Sequence, residues 1–119
     1  MKPIAAQDRV VRNILTTPYE PLTYDGIAHD RMTHITLDPR RPAGTGLYAL
    51  RMAPGSVSTA HEHPTDEIFY VLEGELIDHD GTVYRTGDMV LLRPGTQHAS
   101  HTPAGCTLLV YQDQVETPV

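Results

Sequence analysis

The chain has 119 residues, an apolar share of 39% and a formal net charge of −6. That length predicts one domain around a single core. Lys2 is the only lysine and no basic face can be assembled, which argues against nucleic acid and anionic membranes as partners. The single cysteine, Cys106, allows no internal disulfide and fits a reducing compartment. The first residues hold no apolar run of signal-peptide length, and no segment reaches membrane-spanning length, so the protein is expected in the cytoplasm.

Nine glycines and ten prolines are scattered along the chain and cut it into short pieces, the pattern of an all-β sandwich or barrel. Asp8 to Leu15 has roughly helical spacing of Val10, Val11, Ile14 and Leu15, but its β-branched residues favour an N-terminal strand. Pro18 and Pro21 predict an irregular connector. Met32 to Leu37 reads as a strand, and 38–44 as a loop. In the strand Leu47 to Ala53, Tyr48, Leu50 and Met52 form the more apolar face and Arg51 points outward or to an edge. Glu67 to Leu72 is a strongly apolar strand in which Phe69 and Val71 share the parity of Glu67. Asp80-Gly81 signals a hairpin between Glu75–His79 and Thr82–Arg85. Met89 to Leu92 reads as buried strand, and Cys106 to Tyr111 as the last strand.

Two stretches carry chemistry. Gly55 to Gly74 contains His61, His63 and Glu67, and Gly87 to His98 brings a third histidine behind the Pro94-Gly95 turn. On extended backbone, side chains two apart face the same way, so His61 and His63 point together. Glu67 keeps that parity beyond Pro64, which requires the intervening turn to be closed by tertiary structure. Imidazole and carboxylate suit first-row divalent metals, and three nitrogens with one oxygen leave coordination positions open. His29, His34 and His79 have no such pattern and read as solvated polar residues; His101 faces away from His98. Asp66 has the wrong parity for the site, and Cys106 reads as a small buried thiol.

The first stretch resembles the first cupin motif at every defining position: Gly55, His61, His63, Glu67 and Gly74. The second resembles the second motif through Gly87, Gly95 and His98, departing from it at Arg93 and at Thr102, where a proline and an asparagine are usual. The tail 105–110 extends the likeness to single-domain cupins related to the metal-binding domain of zinc-containing anti-sigma factors, and to small cupins that act as dioxygenases of diketones. The resemblance implies a double-stranded β-helix, a jelly-roll barrel, which about ten short strands would suit. It implies one divalent ion per chain (Fe, Zn, Mn, Ni or Co) on His61, His63, Glu67 and His98. The barrel is assigned to 23–119, with 1–22 as an extension that adds to a neighbour's sheet in a homodimer.

Fold does not fix function, since cupins include oxygenases, lyases, isomerases and binders. The leading expectation is a non-haem Fe(II) dioxygenase of a small diketone- or phenol-like substrate. Glu67 would be a ligand or a base, and Tyr48, Leu50, Met52, Phe69 and Val71 the pocket wall. Met89 is a further candidate for that wall. The alternatives are a sensor-type metal- or small-ligand-binding module and a metal-dependent lyase or isomerase. The absence of a helical sigma-binding segment argues against an anti-sigma role.

Overall fold

The computed structural model describes residues 1–24 and 27–119. Among them are ten strands: β1 (Glu20–Tyr24), β2 (Ile27–Thr36), β3 (Gly46–Met52), β4 (Ser56–Glu62), β5 (Glu67–Asp78), β6 (Val83–Arg85), β7 (Met89–Leu92), β8 (Gln97–Thr102), β9 (Cys106–Gln112) and β10 (Thr117–Pro118). The only helical element described is a short 3-10 turn, Ala6–Asp8. Every pairing is antiparallel. One layer runs β1-β2-β3-β9-β5-β7 and the other β10-β4-β8-β5-β6, so the molecule is an all-β jelly-roll barrel.

β5 belongs to both layers. Its first part pairs with β7 and β9, and its last part with β6 and β8. The change of layer follows a bulge between Val71 and Glu73 and a left-handed Gly74 at φ 77°. Bulges bend and twist a strand, which is what a strand needs to pass from one layer to the next. A Cβ at Gly74 would collide with the Gly105 carbonyl oxygen, so both backbone angle and space demand glycine there. The core fills the space between the layers: Met32, Tyr48, Met52, Phe69, Val71, Leu76, Leu108 and Val110 are buried, with Cys106 among them. Phe69 and Tyr84 meet edge to face at 5.2 Å.

The chain's start departs from expectation. Asp8 to Leu15 forms neither strand nor helix beyond the 3-10 turn, and Val10, Val11 and Leu15 remain exposed because no layer covers them. Pro21 lies not in an irregular connector but in β1, and Leu22 joins the core. Proline is tolerated there because β1 is an edge strand paired only with β2. Arg51 points outward, its guanidinium 3.8 Å from the Tyr19 ring centroid. β7 is a strand but not a buried one: Met89 is 84% exposed, at the barrel's edge. β10, beyond the expected last strand, closes against β4. No helix among the described residues is long and apolar enough to cross a membrane.

Gly74 and Gly81 both adopt positive φ, but a Cβ at Gly81 would meet nothing within 4 Å. Gly81→Ala is therefore expected to cost about 1–2 kcal/mol, the left-handed penalty alone. Gly74→Ala should cost at least ~2 kcal/mol more, since it adds a backbone collision. Denaturant unfolding of the two variants that gave equal losses would contradict this account of the β5 bend.

Candidate metal centre

Each histidine of the site reaches the interior by a different local device. His61 lies on β4, opposite His98 on β8. Upstream, Ser56 and Ser58 face inward; strict alternation from them would turn His61 outward. One extra residue between Ser58 and His61 resets the parity, and from there His61 and His63 both point inward. His98 is buried while His101, three residues on, is exposed. His63 follows β4, and the short crossing from there to Glu67 passes from one layer to the other.

The three Nε2 atoms converge. His61 Nε2 is 3.1 Å from His63 Nε2, which is 3.0 Å from His98 Nε2. Glu67 Oε1 approaches from the opposite layer, 3.4 Å from His63 Nε2 and 3.9 Å from His98 Nε2.

The other nitrogen of each ring donates outward. His61 Nδ1 donates to the Thr59 carbonyl oxygen at 2.6 Å, and His98 Nδ1 to Asp78 Oδ1 at 3.0 Å. His63 Nδ1 donates to Gln112 Oε1 at 3.1 Å. The Gln112 amide is oriented because its nitrogen donates to the Gly44 carbonyl at 2.8 Å and to Glu116 Oε2 at 2.9 Å. With all three protons held on Nδ1, three Nε2 lone pairs face one another in a buried space. Neutral imidazoles in that state cannot hydrogen-bond to one another; a cation satisfies all three at once. These three buried histidines could hold a metal ion.

Electrostatics agree with that reading. Burial holds the His63 imidazole down to about 4, with the neighbouring His61 and His98 adding to the effect. Burial also lowers His61. At His98 burial works against the charged form, but the hydrogen bond and charge of Asp78 outweigh it and raise the pKa. Burial pushes the Glu67 carboxyl up to about 8. The nearby Glu116 and Asp78 charges add to that rise, and His98 opposes it.

The site opens into a cavity of about 350 Å³, with His61, Glu67 and His98 on its lining. Tyr48, Leu50, Met52 and Phe69 form much of its apolar wall, with Leu76 and Leu108. Val71 does not reach it: although it shares the parity of Phe69, it is fully buried in the core. His29, expected to be solvated, lies on the cavity lining. His34 sits beside the Glu20 carbonyl oxygen and His79 is exposed, both away from the centre.

A family model described as the ChrR cupin-like domain matches residues 7–116. The chain belongs to the ChrR cupin-like family. No curated protein matches this cupin in sequence. Among solved structures it is similar to a chain from the complex of Rhodobacter sphaeroides SigE with the anti-sigma ChrR, at 19% identity and TM-score 0.63. That match covers 86% of this cupin and 52% of the other chain, so this cupin spans about half of that chain's length. An acetylacetone dioxygenase from Acinetobacter johnsonii is similar at 14% identity and TM-score 0.64, covering 92% of this cupin and 76% of that chain. The polyketide cyclase RemF from Streptomyces resistomycificus is similar at 23% identity and TM-score 0.62, covering 100% and 85%. Such distant likenesses establish the cupin fold and nothing finer.

Sequence reasoning missed Asp78, Gln112 and Glu116. Asp78 is buried, and its second oxygen accepts from the Tyr84 hydroxyl at 2.6 Å. The one available signal was parity: Asp78 follows Leu76, a core residue, on the inward face of β5. Thr102, where the cupin motif usually has asparagine, is fully buried and donates to the Glu75 carbonyl at 2.7 Å, so it ties β8 to β5 and not to a ligand.

In this cupin, Asp78→Ala would strand the His98 Nδ1–H and the Tyr84 hydroxyl together. A loss of about 2–4 kcal/mol is expected in denaturant unfolding of the metal-free protein. Tyr84→Phe removes one bond of the same carboxylate and should cost about 0.5–1.5 kcal/mol. Asp78→Ala no worse than Tyr84→Phe would refute the role given to Asp78.

Proposed function

We propose that this chain is a metal-dependent cupin that acts on a small, mostly apolar, oxygenated molecule, and that its chemistry is Fe(II)-dependent oxidative cleavage of a diketone- or phenol-like substrate. The observation that carries the reading is the convergence of three tautomer-fixed imidazoles, two of which, His61 and His98, line an open, largely apolar cavity. His61, His63, His98 and Glu67 would hold the ion. Iron bound there supplies one-electron exchange with dioxygen and polarises the oxygens of a substrate. The chain's own residues do the rest. Tyr48, Leu50, Met52 and Phe69 take the apolar body of the substrate and keep water from it. Asp78, Gln112 and Thr59 hold the three rings in place. Glu67 would serve as a ligand of the ion or, detached from it as a carboxylate, would take a proton from an enolisable or phenolic substrate.

Oxygen uptake tests this directly. Fe(II)-loaded protein should consume dioxygen in the presence of one or more members of a panel of diketones and phenols, and His61→Ala should abolish the uptake. Uptake that ignores His61, or none across the panel, removes the dioxygenase reading. A second reading, a sensor-type metal- or ligand-binding module, is favoured by the family's name and by the likeness to the chain in the SigE–ChrR complex. Tight zinc binding with no uptake would select it. Lyase or isomerase chemistry would show as turnover without oxygen. The same proposal includes a homodimer and a cytoplasmic setting: the exposed Ile4, Val10, Val11 and Leu15 offer apolar surface to a second copy, which light scattering would detect.

Metal affinity should depend on pH in a defined direction. In metal-free protein the Glu67 carboxyl, with its pKa near 8, is mostly protonated at neutral pH, and a cation must displace that proton. Affinity for zinc should therefore rise with pH up to about 8, by at most tenfold per unit from this group. Glu67→Gln should weaken binding and flatten that part of the slope. His98→Ala should lower the metal content sharply and His79→Ala should not. Chelator competition giving the same slope for native protein and Glu67→Gln would remove Glu67 from the ligand set.

A further inference from the structure

The described residues that line the cavity include two carboxylates, Glu67 and Glu116, and no lysine or arginine. Glu116 comes from the C-terminal segment, immediately before β10, whose Pro118 also lines the cavity and pairs with His61 of β4. It is half-buried, and its Oε2 accepts from Gln112 Nε2 at 2.9 Å. Gln112 in turn holds His63. Glu116 thus stands at the metal end of the cavity, one amide away from a candidate ligand, and its charge reaches all four of them. With Asp78 buried against His98, three carboxylates surround a site whose divalent ion would carry two positive charges. An incoming anion would meet these carboxylates, and no lysine or arginine among the described lining residues to pair with.

We propose that Glu116 is a specificity-determining residue that makes the open metal positions reject anions and accept uncharged or cationic ligands. This rests on the reading that the histidines hold a metal. It narrows the substrate class to molecules that reach the site uncharged, such as an enolisable ketone or a phenol, and excludes preformed carboxylates and phosphates. Like charges at short range in a partly desolvated cavity repel by enough to change binding several-fold.

The test is a titration of Co(II)-loaded protein with two small metal ligands, followed in the visible spectrum of the ion. Azide is an anion; imidazole, at about pH 8, is mostly uncharged. Glu116→Gln removes the charge but keeps an acceptor oxygen for Gln112. It should tighten azide binding by about threefold or more, while imidazole affinity stays within about a factor of two. An unchanged azide affinity, or equal shifts for azide and imidazole, would overturn the role of Glu116 and leave the metal site standing. A native protein that shows no Co(II) spectrum would overturn the metal reading, and this inference with it.

Discussion

Three imidazole lone pairs are aimed at one buried point, and most of the structure around them exists to keep them there. Each ring is held from behind by an acceptor: the Thr59 carbonyl, the Gln112 amide or the Asp78 carboxylate. Those acceptors come from β4, β9 and β5, so no single element carries the arrangement. The barrel must close before the rings are fixed. Ordering polar groups in this way costs free energy that a metal-free site does not return, because buried lone pairs without a donor lose their hydration. A bound cation would return it, and by mass action would stabilise the closed barrel by about 4 kcal/mol at a thousandfold excess over its dissociation constant.

The spacing of the candidate ligands is local. His61, His63 and Glu67 lie within seven residues, and glycines flank them at positions where the chain turns. The face that Tyr48, Met52 and Phe69 present was legible, since alternation holds in the first part of β5 and Tyr48 and Met52 share parity in β3, although Ala49 on the other face is buried too. What could not be read was set by pairing across the sheets. The extra residue before His61 is visible only in the register between β4 and β8. Asp78 and Gln112 lie far along the chain from the rings they hold. Strand propensity misled twice near the N-terminus: Val10 and Val11 have it but lie in no strand, whereas Pro21 lacks a donor and is nevertheless accommodated on an edge.

The same β5 bend that closes the barrel also unites the site. Before the bend, β5 supplies Glu67, Phe69 and the pairing with β9 that brings Gln112 alongside Glu67. After it, β5 supplies Leu76 to the cavity wall and Asp78 to His98. Gly74 lies between these halves, packed so closely against Gly105 that no side chain fits. A shift at Gly74 would therefore move the candidate carboxylate ligand and the partner of His98 relative to each other. The glycine that closes the first motif is structural in its contacts and functional in its consequence.

Fold and ligand geometry leave the chemistry open, because the same barrel appears in proteins as different as a dioxygenase, a cyclase and a complex with an anti-sigma factor. What narrows the choice is the space beside the ligands. A closed four-ligand structural site needs no cavity, yet this one has about 350 Å³ of mostly apolar space in front of three candidate ligands. A pure metal sensor would gain nothing from Phe69, Met52 and Tyr48 lining that space, where a small molecule would gain burial of its apolar surface. The polar groups are concentrated near the metal end, where Glu116 and Glu67 leave the charge balance negative once a divalent ion is counted with Asp78. Apolar wall and negative balance together favour a ligand that arrives uncharged and becomes polarised only on contact with the site.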